Sequence, residues 1–275
     1  MGVIILQRAL GSWKLGARVR SGRTVLVDLE QRGCCRLLFP RRMVNGLEAV
    51  TVNISGGVAA GDHISGMLEC EEGADVLVTS QATERIYRAR PDDTHARIET
   101  SCKIGSCARL EWLPHGTIFF DGCCLRRRMT VEMQDSSSFL FLECRMFGRT
   151  GSGERLERLD VHDRLSIRRA GRLVLEDMSR IECKGLAGAF AGKALTAGQT
   201  ALATLVMVAP DAEARIHAVR ERLSEIGARE FACSAWNGML VLRGMSESGR
   251  VLEEQVQHLL PVIRDGRPMP ATWRS

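Results

Sequence analysis

Between residue 23 and about residue 207 the chain is written in period two. Short runs in which apolar and polar residues alternate, at 24–29, 74–79, 96–104, 129–133, 138–143, 156–161, 165–168, 173–176 and 200–208, predict strands. Turn signals such as Glu72-Gly73, Pro91-Asp92-Asp93 and Ala170-Gly171 separate them. Alternation of this kind gives each strand one apolar face, which must be covered by other strands or by helices. Many short strands at near-regular spacing mean a sandwich, a barrel or a stacked β-solenoid, and spacing alone does not choose among them.

The pattern changes after Pro210. Asp211 stands where a helix N-cap is expected, Ile216, Val219, Leu223 and Ile226 share one helical face, and Gly227 suits the position after its end. Two strands at 231–236 and 239–243 follow, joined by Asn237-Gly238, a tight hairpin turn. Ser246 or Ser248 then caps a second helix carrying Leu252, Val256, Leu259, Leu260 and Ile263, with Pro261 in its last turns. The expected organisation is a β-rich body at 1–209 and a C-terminal segment at 210–275, β-α-β-β-α counting the strand at 200–208, packed on that body as one integrated domain. The tail at 268–273 is expected to lie extended on the surface.

Composition narrows the function classes. A chain of 275 residues that is 45% hydrophobic and 26% charged is long enough for a substantial core, so disorder and fibrous repeats are excluded. No apolar stretch approaches the roughly 20 residues of a membrane helix, the longest being 201–210, and residues 1–10 lack a basic leader and cleavage site. A cytoplasmic protein without membrane contact is expected, in which the ten cysteines stay as free thiols. The pairs Cys34-Cys35 and Cys123-Cys124, placed on strands, would point to opposite faces and so not chelate one ion; no CxxC occurs. Arginine supplies 34 of the 38 basic residues in a net charge of +5. That bias reflects either overall composition or interfaces that bind acidic partners through guanidinium forks. The best nucleic-acid patch, Arg126-Arg127-Arg128, has no interleaved aromatic platform, so no nucleic-acid partner is expected.

Four segments are richer in polar residues and glycine than a plain β scaffold requires. The first, Ser55-Gly56-Gly57-Val58-Ala59-Ala60-Gly61-Asp62-His63, lacks the Lys-Ser/Thr of a phosphate loop; it suits a tight turn whose amides Asp62 caps. The second, at 78–88, holds Gln81, Arg85, the chain's one tyrosine, Tyr87, and Arg88. The third, Glu111-Trp112-Leu113-Pro114 through Phe120, is a strand, a proline turn and a strand. The fourth runs through Glu143 to Gly148-Arg149, Gly153 and Glu154. No GxSxG elbow, HxH or HExxH is present, although Asp160 and His162 would share one strand face, which suits open imidazole and carboxylate coordination. The acids Glu111, Glu143, Glu154 and Glu176 could supply a glycosidase pair, which keeps a β-solenoid enzyme acting on carbohydrate as the rival class.

Taken in order, these segments resemble the urease accessory protein UreD (UreH) family. The boxes are Gly56-Gly57 with Gly61-Asp62; Thr79, Gln81, Arg85 and Tyr87-Arg88; Glu111-Trp112-Leu113-Pro114 with Ile118 and Phe120; Gly148-Arg149 with Gly153-Glu154; and Pro270 with Trp273. Departures are Arg85 for the family's lysine, Val58-Ala59-Ala60 in the glycine loop, and Thr272 for an arginine before Trp273. The resemblance implies a mainly β, β-helix-like body with two C-terminal helices and a non-enzymatic role. Such a scaffold binds apo-urease and the UreF and UreG partners, UreG being the GTPase, and helps deliver nickel to an active site whose lysine is carbamylated. It also implies an internal tunnel whose acids match Glu143 and Glu176, with Asp62 as a further candidate, and no tightly bound cofactor, since nickel is in transit. Gly56, Gly57, Gly61, Gln81, Tyr87, Arg88, Pro114, Gly148, Arg149, Gly153 and Glu154 would shape or line that path. Oligomerisation within the complex stays open.

Overall fold

The computed structural model describes residues 7–40, 43, 45–90, 93–149, 153, 154, 156–184, 190–192 and 195–273. The expected turn at Pro91-Asp92 and residues 150–152 of the fourth polar segment lie outside the described residues. Along the chain, β1 (Leu10–Arg20) and β2 (Arg23–Gly33) form a hairpin, and β3 (Cys35–Leu38) pairs with β4 (Leu47–Asn53). There follow β5 (His63–Cys70), β6 (Asp75–Ser80), the short β7 (Glu84–Ile86), β8 (Ala96–Ile104), β9 (Arg109–Trp112) and the short β10 (Thr117–Phe119). Longer strands come next: β11 (Cys124–Met133), β12 (Ser138–Phe147), the hairpin of β13 (Arg158–Arg169) and β14 (Arg172–Lys184), and β15 (Ala201–Val208). Helix α1 (Ile216–Glu225), the hairpin of β16 (Phe231–Trp236) and β17 (Met239–Ser246), and helix α2 (Gly249–Ile263) close the chain.

Sheet one has the order β14-β13-β11-β8-β5-β1-β2; sheet two has β16-β17-β15-β12-β9-β6-β4-β3, with β10 beside β12 and β7 beside β10. In sheet one β1, β5, β8, β11 and β13 run parallel, and in sheet two β4, β6, β9 and β12 do the same. Parallel neighbours need a crossover, and here each crossover passes through the opposite sheet. The fold is mainly β with two C-terminal helices, as expected, and the described strands do not close into a barrel.

The interior strands β6, β12 and β15 of sheet two are buried on both faces, which is why they read as nearly continuous apolar runs. Phe139 and Phe141 of β12 enter the core between the sheets, while Leu140 and Leu142 face the helices. That second core collects Leu252, Val256, Leu259, Leu260 and Ile263 from α2 and Val219 and Leu223 from α1. Sheet one alternates: Leu159, Val161, Leu165 and Ile167 of β13 point inward, and Asp160, His162, Arg164 and Ser166 point out. The runs at 156–161 and 165–168 are one strand, because the acid between them, Asp163, is inward and paired with Arg127.

At the chain's end Ser248 caps α2 by accepting from the Val251 amide at 3.3 Å, and Asn237 and Gly238 both adopt positive φ in the hairpin turn. Asp211 does not cap α1. A 3₁₀ turn over Ala212–Arg215 intervenes, and the Asp211 carboxylate pairs with Arg215 at 2.7 Å. The tail is not a surface strand either: Pro270 and Trp273 are buried. Trp273 Nε1 donates to Thr79 Oγ1 (3.2 Å) and to the Leu113 carbonyl (3.1 Å), and its ring stacks on His115 at 5.0 Å. Buried Arg264 donates to Glu111 Oε2 at 2.6 Å, Arg267 bridges Glu111 Oε1 (2.8 Å) and Asp75, and the Ala271 amide donates to Glu48 at 2.6 Å. A tryptophan indole and four carboxylate contacts therefore clasp the C-terminal segment onto sheet two.

The cysteine expectation holds at Cys123-Cys124, whose side chains enter separate clusters, and fails at Cys34-Cys35. Gly33 turns with φ +59° and Cys34 precedes β3, so the pair is not on one strand and both thiols converge on Gly11. A Cβ at Gly11 would lie 2.5 Å from each sulfur. Burial, with Cys34 beside it, pushes the Cys35 thiol up to about 12, so it stays protonated at neutral pH.

Candidate functional site

A cavity of about 350 Å³ lies between the sheets, and its lining includes Trp13, Cys35, Gln81, Glu84, Pro114, Arg127, Glu143, Arg145, Asp163 and Asp177. The strand pleat accounts for the charged ones: Arg127 is in phase with Leu125 and Met129, Asp163 with Val161 and Leu165, and Glu143 and Arg145 with Phe141 and Phe147. Arg127 and Asp163 come from sheet one, Glu143 and Arg145 from sheet two. Arg127 Nε donates to Asp163 Oδ1 at 2.7 Å, Arg127 also binds Glu143, and Arg145 Nε donates to Glu143 Oε2 at 2.5 Å. Two guanidiniums and two carboxylates thus form a neutral network across the cavity. Burial alone would raise the Asp163 carboxyl, but Arg127 and Arg145 outweigh it and hold the group below the usual carboxylate range. Asp177 faces the same space and pairs with Arg243 at 2.9 Å.

Glu84 is the exception in this cavity. Burial holds its carboxyl above the usual range, against hydrogen bonds from the Arg85 amide (3.1 Å) and Asn53 Nδ2 (3.2 Å). A carboxyl raised in the folded state stabilises fully below its unfolded pKa, about 4.3, and that contribution is lost as pH rises through the folded value. Glu84→Gln is therefore expected to raise the urea midpoint at pH 8, with the gain fading towards pH 4. An equal gain at both ends of that range would show that charge at Glu84 is not what costs stability.

The other motif residues build a joint beside the cavity. Gly57 has φ +147°, and a Cβ there would lie 2.4 Å from the Tyr87 ring, whose hydroxyl donates to the Gly56 carbonyl at 2.7 Å. Tyr87 meets Phe120 edge to face at 5.2 Å, and Arg149 lies over the Phe120 ring at 4.4 Å. Beyond Gly148 (φ +80°), the Arg149 amide donates to Glu154 Oε2 at 3.0 Å, beside Gly153 (φ +70°). Arg88 binds Asp121, which also accepts from the Glu157 and Arg158 amides. Asp62 accepts from the Ala9 and Ala59 amides, each at 2.8 Å, which orders the turn that Gly61 (φ +83°) completes.

Glu143 and Glu176 are not brought together. Glu176 pairs in register with Ser166 on the outer face of sheet one and is held there by Arg164, whose hydrogen bond keeps its carboxyl below the usual range. Gln81 stands exposed at the cavity rim and Pro114 half-buried in its wall. The four acids of a would-be glycosidase pair occupy four places: Glu111 under the C-terminal clasp, Glu143 in the cavity, Glu154 against Arg149, Glu176 outside. The basic triplet also divides, Arg127 inward and Arg126 and Arg128 on the outer face, where Asp160 neutralises Arg126. Sequence reading missed Arg127, Arg145, Asp163, Asp177 and Glu84. The available signal was phase: an acid or base at the inward phase of an apolar strand is a buried charge that needs a partner.

The chain matches the family described as UreD urease accessory protein over residues 9–274. It is 36% identical over 268 residues to a urease accessory protein UreD of Chelativorans sp., an alignment covering 98% of this chain and 95% of the relative. Identity to a urease accessory protein UreD of Methylobacterium sp. is 38% over 274 residues, covering 98% and 96%. To a urease accessory protein UreD 2 of Methylorubrum populi it is 41% over 256 residues, covering 92% and 85%.

Proposed function

Because the chain belongs to the UreD urease accessory protein family, we propose that it is a non-catalytic scaffold in urease maturation that passes nickel through the cavity between its sheets. On this reading the parallel ladders, wound from sheet to sheet, form a β-helix-like frame that holds the path open. Apo-urease and the UreF–UreG complex dock on its outside, and nickel is cargo, not a resident cofactor. The observation that carries the reading is the donor set of the cavity. Glu143, Asp163 and Asp177 are hard carboxylate ligands already engaged by arginines, so a Ni²⁺ ion meets competition at each step and is not trapped, as it would be by a closed histidine or thiolate cage. Glu143 is the central acid in this path; Glu176 would serve outside it, and Asp62 orders the turn.

The test is co-expression with the urease structural subunits and the other accessory proteins, followed by measurement of co-purification and of nickel in urease. Glu143→Gln keeps a hydrogen-bonding side chain between Arg127 and Arg145. It is expected to leave complex formation unchanged and to lower the nickel content of urease; Glu143→Gln with Glu176→Gln is expected to lower it no further. Wild-type nickel in an intact Glu143→Gln complex would overturn the path, and failure of the wild-type chain to co-purify would overturn the scaffold.

A further inference from the structure

We propose that the outer face of sheet one carries a binding site for a first-row divalent transition-metal ion, formed by Asp160, His162 and Glu182. Asp160 and His162 are two residues apart on β13 and so share a face, and Glu182 is the cross-strand partner of Asp160 on β14. One ligand atom from each lies within 4.8 Å of the others, and among the described residues these three are the group of His, Cys, Asp and Glu side chains that converge so closely. The neighbouring residue Asp163 points into the cavity, so the two sites lie on opposite faces of one sheet.

The imidazole distinguishes this group from an ordinary acidic cluster. His162 Nε2 is shielded from water and makes no hydrogen bond, although Asp160 Oδ1 lies 3.3 Å away. That nitrogen faces the carboxylate oxygen without the geometry of a hydrogen bond. A polar atom shielded from water and left without a partner is costly, and a cation held between it and Asp160 would satisfy it.

The surroundings supply what such a site needs. His95 Nε2 lies 2.6 Å from Asp160 Oδ2 and orients that carboxylate, the outer-shell role that commonly supports a ligand. Arg126 Nη1 donates to Asp160 Oδ1 at 2.8 Å and Arg180 pairs with Glu182, so an incoming ion displaces guanidinium from both carboxylates. Glu182 is exposed, which leaves one side open for exchange. One imidazole with two carboxylates suits Ni²⁺, Co²⁺ or Zn²⁺, whereas Mg²⁺ and Ca²⁺ prefer all-oxygen ligands. The inference does not depend on nickel delivery, because it concerns binding by the chain itself.

Calorimetric titration of the purified full-length chain with NiCl₂, ZnCl₂ and MgCl₂ tests it, with X-ray absorption on the nickel-loaded protein. Wild type is expected to bind nickel and zinc with an imidazole scattering signature and to bind Mg²⁺ far more weakly. His162→Ala is expected to lose one equivalent, and His95→Ala to weaken that equivalent by about 10- to 100-fold. Arg126→Gln removes the competing guanidinium and is expected to tighten it about tenfold, the equivalent of one charge-assisted hydrogen bond. Unchanged stoichiometry and affinity in a His162→Ala chain whose circular dichroism matches wild type would overturn the site. So would Mg²⁺ binding as tight as nickel, or a nickel spectrum without imidazole.

Discussion

Glu111→Ala is expected to destabilise the protein by about 3–5 kcal/mol, read as a fall in the urea midpoint at constant slope. Among the described residues Glu111 is the sole carboxylate hydrogen-bonded to the Arg264 guanidinium, whose side chain is only 1% exposed, and it also holds Arg267. Taking it away leaves a buried guanidinium with backbone carbonyls and no counter-charge, the costly half of a buried ion pair. Arg264→Ala is expected to cost a similar amount, because Glu111 then loses its deepest partner. The double variant Glu111→Met with Arg264→Met is expected to cost far less than the sum of the two single losses, since it removes both charges and fills the space with apolar volume. Additive losses would show that the two side chains act independently and that the clasp is held elsewhere, at Trp273 and Glu48.

Arg127→Met is expected to cost about 3 kcal/mol at neutral pH, through the same loss of a buried counter-charge. The sign of its pH dependence is the stronger test. In the wild type, Asp163 has a depressed folded pKa, so its stabilising contribution is complete above the unfolded value of about 3.9 and is lost as pH falls through the folded one. Without Arg127, burial outweighs the remaining pull of Arg145 and the Asp163 carboxyl rises. The variant's deficit is then greatest at pH 8 and shrinks on acidification, as Asp163 takes up a proton. Midpoints measured from pH 8 to pH 5 should therefore converge; a constant gap would mean that Arg127 contributes packing and not charge.

The sequence exposed local periodicity more readily than pairing. The strand at 96–104 has the bounds that alternation predicts, and the helix at 249–263 buries the five apolar residues that its spacing selects. That β8 lies between β5 and β11, each parallel to it, is a relation between distant segments that no local pattern records. The tail was misread for a related reason. Pro268 to Trp273 lacks periodicity, but burial of Trp273 depends on the groove that Thr79 of β6 forms with Leu113 and His115 of the β9–β10 connection. In the cavity, Glu143 was legible through the family resemblance, whereas Asp163 and Asp177 sit in Arg- and Asp-rich strands that read as solvent faces until their phase is fixed by Val161 and Leu175.

The winding of the chain between two sheets also governs the time in which it can fold. His63 pairs with Arg97, and Arg97 with Arg126, so each parallel ladder joins residues separated by a complete passage through the other sheet. Closing such loops costs entropy before any hydrogen bond returns it, and topologies dominated by distant pairing fold slowly. The hairpins β1–β2, β13–β14 and β16–β17 can form locally, but the parallel middle has no hairpin to start from. Its strands must wait, edges unpaired, until a neighbour arrives from the opposite sheet, and during that wait they offer the same template to any other extended chain nearby.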